Sequence, residues 1–316
     1  MAHYSIPDRA MPDPTLNYLV RPQNALSDIV AGTRRIAYWQ WGSDTAEHTV
    51  VCVHGLTRQG RDFDALAQAL LERTNGNIRV VCADVAGRGN SDWLADPLAY
   101  QLPTYATDML ALLAHLQPKT LDWVGTSMGG LIGIAACAHA ATVGAPIRRL
   151  VLNDVGPTIE WQSLVRIGTY VGRQMQFDSL EHAADAMWTI STGFGPHTPQ
   201  QWLELSRHMV RPLTQDDDGH GAVRLHYDPA IAVAFKSVSP ETAAQGEATL
   251  WALYDAITAQ TLVVRGAQSD LLSPATALQM TQRGPKARLV EFDGVGHAPT
   301  LIAADQLHAV CGFLLD

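Results

Sequence analysis

One stretch, Leu121-Asp122-Trp123-Val124-Gly125-Thr126-Ser127-Met128-Gly129-Gly130-Leu131-Ile132-Gly133-Ile134, constrains the fold more than any other part of the chain. It reads as an apolar strand, a turn too tight for ordinary side chains, and an apolar helix. Ser127 sits at the tip of the turn with Gly125 and Gly129 two residues to either side. A strand that turns at once into a helix brings those flanking positions together, so only small residues fit there. The tip residue is then held in a strained backbone conformation. That geometry projects a serine oxygen from the sheet and leaves the amide of Met128 at a helix N-terminus, where it faces any negative charge that forms nearby.

The segments around this turn repeat its alternation. Arg35–Trp41 reads as a strand, and Thr49–Val53, Arg79–Ala83, Arg149–Asp154, Thr261–Arg265 and Ala287–Phe292 as strands that are largely continuous apolar runs. Between them, residues 62–73 carry Phe63, Leu66, Ala67, Leu70 and Leu71 at helical spacing, and helices are expected near 103–115, 274–283 and 301–314. Such a pattern predicts an α/β fold: a mainly parallel central sheet with helices on both faces, joined by right-handed crossovers. Residues 1–30, rich in proline and polar side chains, read as an extended N-terminal arm. The core is expected over 31–155 and 260–316, with an inserted helical cap over 156–259, where the pattern turns mostly helical and richer in aromatics.

Parallel sheets of this kind place their sites at the carboxyl ends of the strands. His54, Asp84, Ser127, Asp154, Asp270 and the loop that carries His297 all follow predicted strands, so they are expected to gather at one edge. A serine hydroxyl is a poor nucleophile at neutral pH and needs a base, which in turn needs an orienting acid. Twelve histidines are present, and His297 stands apart by its loop, Gly294-Val295-Gly296-His297-Ala298-Pro299, between the last strand and the last helix. Asp270 and Asp154 are the two candidate acids. Asp270 is preferred, on the order serine, aspartate, histidine along the chain. The amide of Leu56, after the small Gly55, is the candidate partner of the Met128 amide in an oxyanion hole. His54 reads as a brace for its loop rather than a base, and Asp84 and Ser91 as parts of a turn.

His54-Gly55-Leu56, Asp84-Val85-Ala86-Gly87-Arg88-Gly89-Asn90-Ser91, Gly125-Thr126-Ser127-Met128-Gly129-Gly130, Ser269-Asp270 and Gly296-His297, in that order, resemble the α/β-hydrolase superfamily from about residue 35 to the C-terminus. The resemblance implies Ser127 as nucleophile, His297 as base, Asp270 as acid, Leu56 and Met128 as oxyanion donors, and no metal or organic cofactor. Serine at the turn tip separates the chain from the similar haloalkane dehalogenases and epoxide hydrolases, which carry aspartate there. The loop at Leu56 also departs from the glycine-rich form of lipases, which argues against long-chain triglycerides. The expected activity is cleavage of a carboxylic ester of a small or medium apolar substrate. The alternatives are a carbon–carbon bond hydrolase or enol-lactonase of aromatic breakdown, which the Ser-Met-Gly-Gly turn and the cap position also resemble, and a non-catalytic ligand-binding protein of the same fold. Trp161, Trp188, Trp202, His220, His226 and Tyr227 are candidate pocket residues in the cap.

Composition narrows the field further. The 316 residues are 47% hydrophobic and 17% charged, with a formal net charge of −9. That balance is globular and argues against a nucleic-acid surface. There is no apolar run long enough for a membrane span and no basic-then-apolar leader. Cys52, Cys82, Cys137 and Cys311 form neither a C-x-x-C pair nor a metal-ligand spacing, and read as buried thiols of a reducing, cytoplasmic compartment. The sequence leaves the oligomeric state open.

Overall fold

The computed structural model describes residues 13–23, 32–213 and 221–316. In chain order the elements are β1 (Thr15–Pro22), β2 (Thr33–Trp41), β3 (His48–Val53), α1 (Asp64–Arg73), β4 (Arg79–Ala83), α2 (Leu102–Leu116), β5 (Thr120–Thr126), α3 (Met128–Cys137) and β6 (Ile147–Asn153). The insertion holds α4 (Trp161–Tyr170), β7 (Gln176–Phe177), α5 (Leu180–Ser191), α6 (Pro199–Arg207), β8 (Val210–Pro212), β9 (Val223–Leu225), α7 (Ile231–Lys236) and α8 (Pro240–Asp255). The chain then returns to the core with β10 (Gln260–Gly266), α9 (Pro274–Gln282), β11 (Arg288–Phe292) and α10 (Ala304–Leu315).

The main sheet has eight strands in the order β1-β2-β4-β3-β5-β6-β10-β11. From β4 to β11 every pairing is parallel, while β2 runs antiparallel to β4 and to β1. The continuous apolar runs have the expected cause, because side chains alternate between two packed faces. Val51 and Val53 enter the core that contains α2 and α3, while Val50 and Cys52 enter the core beneath α1 and α10. The helical spacing in 62–73 is equally legible, with Leu66, Ala67, Leu70 and Leu71 all buried in α1. Cys52 and Cys82 stand opposite each other in the β3–β4 register, and both are free thiols.

Within the expected N-terminal arm, residues 15–22 hydrogen-bond to β2 as an edge strand, with Arg35 over the Tyr18 ring at 4.8 Å, while residues 1–12 and 24–31 lie outside the described residues. The insertion is mostly helical and also holds a small antiparallel sheet formed by β7, β9 and β8. Each of those strands is two or three residues long, too short for a period-two pattern to register.

The insertion is stitched to the core beside the carboxyl edge. The Gly89 amide donates to the His226 carbonyl at 3.1 Å and the Asp228 amide to the Gly87 carbonyl at 2.7 Å. The Tyr100 hydroxyl donates to Asp228 Oδ2 at 2.5 Å. Gly87 has φ +81°, and a Cβ there would lie 2.6 Å from Tyr100 Cε1, so the turn and its neighbour both require glycine.

Candidate active site

The turn at Ser127 has the anticipated geometry. Ser127 has φ 52° and ψ −117°, a conformation L-residues rarely hold. Its amide donates to the Asn153 carbonyl at 2.9 Å, which fixes the turn to the end of β6. A Cβ on Gly125 would fall 2.3 Å from the Gly129 carbonyl oxygen, and one on Gly129 would fall 1.9 Å from that of Val53. The glycines of the motif are therefore dictated by backbone packed on backbone.

His297 Nε2 lies 3.0 Å from Ser127 Oγ, and His297 Nδ1 lies 2.7 Å from Asp154 Oδ2. Asp154 is fully buried. Its other carboxylate oxygen accepts the Gly266 amide at 2.9 Å, and Oδ2 also accepts the Ser269 hydroxyl at 2.6 Å. A carboxylate with these donors faces Nδ1–H and leaves Nε2 free to accept from the serine hydroxyl. Such an arrangement can move a proton from the serine to the imidazole while the imidazolium is held by a buried anion.

Asp270, the acid favoured from the sequence, stands elsewhere. Its carboxylate takes Arg166 Nε at 2.8 Å and Nη2 at 3.0 Å, and its side chain is half exposed. The correction has a topological cause. Asp154 follows β6 directly and β6 neighbours β10, so the Gly266 amide and the Ser269 hydroxyl close on Asp154 while the next residue, Asp270, turns toward α4. The chain order of serine, aspartate and histidine is satisfied by both acids and cannot separate them.

The loop that carries Leu56 is rigidly braced. His54 is fully buried, accepts the Val85 amide on Nε2 at 3.0 Å, and so carries its proton on Nδ1, which donates to the Gly55 carbonyl at 2.7 Å. Burial lowers its pKa to about 3, with the Gly55 hydrogen bond opposing. His54 is thus a neutral strut. Arg88, also fully buried, donates from Nε to the Leu56 carbonyl at 2.8 Å and from Nη1 to the Tyr105 hydroxyl at 2.9 Å. Asp84 holds the same edge from behind through the Gly60 and Asn90 amides at 2.7 and 2.9 Å, while burial raises its carboxyl to about 6. Ser91 bridges the Asp84 carbonyl and the Ala37 amide.

Ser127 lies where two cavities meet. One, of about 540 Å³, is lined by Leu56, Ser127 and Met128 together with Leu131, Ile167 and Phe235, among others. The other, of about 130 Å³, is lined by Leu56, Ser127, His297, Arg58, Phe194 and Tyr227, among others. Of the aromatics singled out in the sequence, Tyr227 lines the smaller cavity beside Ser127, while Trp161, Trp188, Trp202 and His226 line neither of the two. Trp161 lines a separate depression with Phe235 and Val238. Trp188 stacks edge-on to Trp202 at 4.9 Å inside the insertion, and Trp202 Nε1 donates to the Ala184 carbonyl. His226 contributes its backbone to the seam with Gly89. His220 lies outside the described residues.

Sequence reasoning assigned no role to three residues. Asn153 Nδ2 donates to Thr126 Oγ1 at 2.9 Å and to the Pro299 carbonyl at 2.8 Å, tying the serine turn to the His297 loop. Ser269 orients Asp154. Arg58 enters the smaller cavity. A polar residue that closes an apolar run, as Asn153 closes Leu150-Val151-Leu152 at the end of β6, was the available signal for the first. The described residues contain no group of three or more His, Cys, Asp or Glu side chains that could hold a metal ion. None of their helices is long and apolar enough to cross a membrane.

Residues 50–310 match the model of the alpha/beta hydrolase family, and the chain belongs to that family. It is a hydrolase. It is 47% identical over 277 residues to a 3-hydroxybutyrate-oligomer hydrolase of Cupriavidus necator, an alignment that covers 88% of this chain and 92% of that protein. Among solved structures, an alpha/beta hydrolase from Novosphingobium aromaticivorans superposes with a TM-score of 0.78 at 32% identity, covering 96% of this chain and 99% of the other. A Rickettsia typhi protein superposes with a TM-score of 0.80 at 27% identity, covering 95% and 98%.

Proposed function

We propose that this hydrolase is a serine esterase that cleaves short aliphatic oligoesters of the 3-hydroxybutyrate type through an acyl-enzyme on Ser127, with the insertion over 156–259 acting as its cap. The observation that carries the reading is the hydrogen-bonded series from Ser127 Oγ through His297 to the buried Asp154. The relation to the oligomer hydrolase supports the substrate class, as does a larger cavity whose lining has no charged side chain.

In the first half-reaction His297 Nε2 takes the hydroxyl proton as Ser127 Oγ bonds to the ester carbonyl carbon. The carbonyl oxygen becomes an oxyanion, which the amides of Leu56 and Met128 stabilise. The first N–H groups of a helix have no partner within the helix, so the Met128 amide is free for this task. The tetrahedral centre collapses, the bond to the alcohol oxygen breaks, and His297 returns its proton to that oxygen. Water then attacks the acyl-enzyme by the same path and releases the acid.

The test uses purified protein with the 3-hydroxybutyrate dimer and trimer, together with a fluorophosphonate probe. The expected result is release of monomer and labelling at Ser127, with Ser127→Ala losing at least roughly 10⁴-fold in kcat. Retained turnover in the folded alanine variant contradicts the assignment.

A further inference from the structure

The two cavities that meet at Ser127 differ in charge. The larger is lined by no charged side chain, whereas the smaller is lined by Arg58 and Arg166 and by no carboxylate. Of these two, only the smaller is lined by His297; a further cavity of about 370 Å³ that His297 lines with Arg166 and Asp270 does not include Ser127. The imidazole that protonates a leaving oxygen must lie within hydrogen-bonding reach of it. The leaving alcohol therefore occupies the arginine side, and the acyl portion the apolar side.

Arg58 is the better placed of the two cations. It lies two residues beyond Leu56, and a Cβ built on Gly55 would stand 3.6 Å from Arg58 Cγ and 3.8 Å from Ser127 Cβ. Its side chain is only 12% exposed. Asp62 takes Nε and Nη2 at 2.6 and 2.7 Å, and Nη2 also donates to the Leu205 carbonyl at 3.2 Å, which leaves Nη1 as the guanidinium nitrogen without a hydrogen-bond partner among the described residues. The Phe194 ring lies 5.7 Å from the guanidinium carbon. A guanidinium fixed in this way is preorganised, so a ligand bound by it need not order a flexible side chain.

We infer that Arg58 forms a carboxylate subsite on the leaving-group side of Ser127, so that the preferred ester is one whose alcohol portion ends in a free carboxylate. Resting on the oligoester reading, this gives the substrate a direction: the acid-terminal hydroxyacid unit lies against Arg58 and is released first, while the rest of the chain extends into the apolar cavity.

The experiment compares the 3-hydroxybutyrate dimer with its terminal carboxamide, which is neutral and of the same shape. Internal ester cleavage is followed in wild type, Arg58→Gln and Arg166→Gln. A charge-assisted hydrogen bond predicts that wild type favours the free acid by roughly 10- to 100-fold in kcat/KM. In Arg58→Gln that ratio falls toward one, while in Arg166→Gln, at an exposed site, it changes by less than about threefold. Should Arg58→Gln fail to fold, product inhibition of wild type decides: 3-hydroxybutyrate is expected to inhibit at least about tenfold more strongly than its amide. Equal cleavage of both dimers, equal inhibition by acid and amide, or a preference that survives in Arg58→Gln overturns the subsite and leaves the esterase reading standing. Cleavage of neither dimer overturns both.

Discussion

Arg166 in α4 and Asp270 in the loop after β10 face each other through two parallel hydrogen bonds, Nε to Oδ2 at 2.8 Å and Nη2 to Oδ1 at 3.0 Å. The pair joins the insertion to the core at the rim of the site, beside the bond from Ser163 Oγ to the Asp270 carbonyl. Both side chains are about half in solvent, at 42% and 50% exposure. An exposed ion pair contributes only about 0–1 kcal/mol, because solvent and salt screen it. Asp270→Asn should therefore shift the urea-derived stability by less than about 1 kcal/mol, and a larger loss would show that the pair is a structural clamp.

The glycines of the serine turn make a sharper prediction. Gly129→Ala places a methyl group 1.9 Å from the Val53 carbonyl oxygen, a contact that only movement of β3 or α3 can relieve. The expected cost is on the order of 3 kcal/mol or more, with loss of activity. Gly246→Ala, in the exposed interior of α8 with nothing within 4 Å, should instead stabilise by about 0.5–1 kcal/mol. Thermal melts of the two variants check both signs.

How much of this was readable in advance depends on the residue. The alternation of apolar runs and helical spacings carried the sheet, because a strand buried on both faces leaves a composition no surface strand has. The meeting of Ser127 and His297 at one edge was legible because each follows a strand in a glycine-containing turn or loop. Asp154 was not separable from Asp270, since both follow strands and the deciding fact is which neighbour, β6 or β10, offers its end to His297. Aromatics in the insertion misled for a related reason. Trp188 and Trp202 satisfy each other and the local core, and nothing in their spacing says so.

His54 and Asp84 give opposite pH dependences of stability. His54 stays neutral in the fold, with its pKa lowered from 6.5 to about 3, whereas the unfolded chain takes up a proton below 6.5. Its contribution is present above that value and is lost as pH falls toward 3. Asp84 is raised from 3.8 to about 6, so between those values the folded chain holds a proton that the unfolded chain lacks. Its contribution grows as pH falls through that window, partly offsetting the loss from His54. Asp84→Asn removes the offset. Between pH 6 and 4.5 the stability of the variant should fall more steeply than that of wild type, by up to about 1.4 kcal/mol per pH unit. Equal slopes in urea titrations would contradict the assignment of Asp84.

The central claim is that Asp154, and not Asp270, orients His297. Steady-state kinetics of Asp154→Asn and Asp270→Asn on one soluble ester, side by side with wild type, test it most directly. The account predicts that Asp154→Asn lowers kcat by about 10³- to 10⁴-fold, because an amide at that position favours the wrong imidazole tautomer, while Asp270→Asn stays within about threefold of wild type. A large loss in Asp270→Asn with activity retained in Asp154→Asn would contradict it.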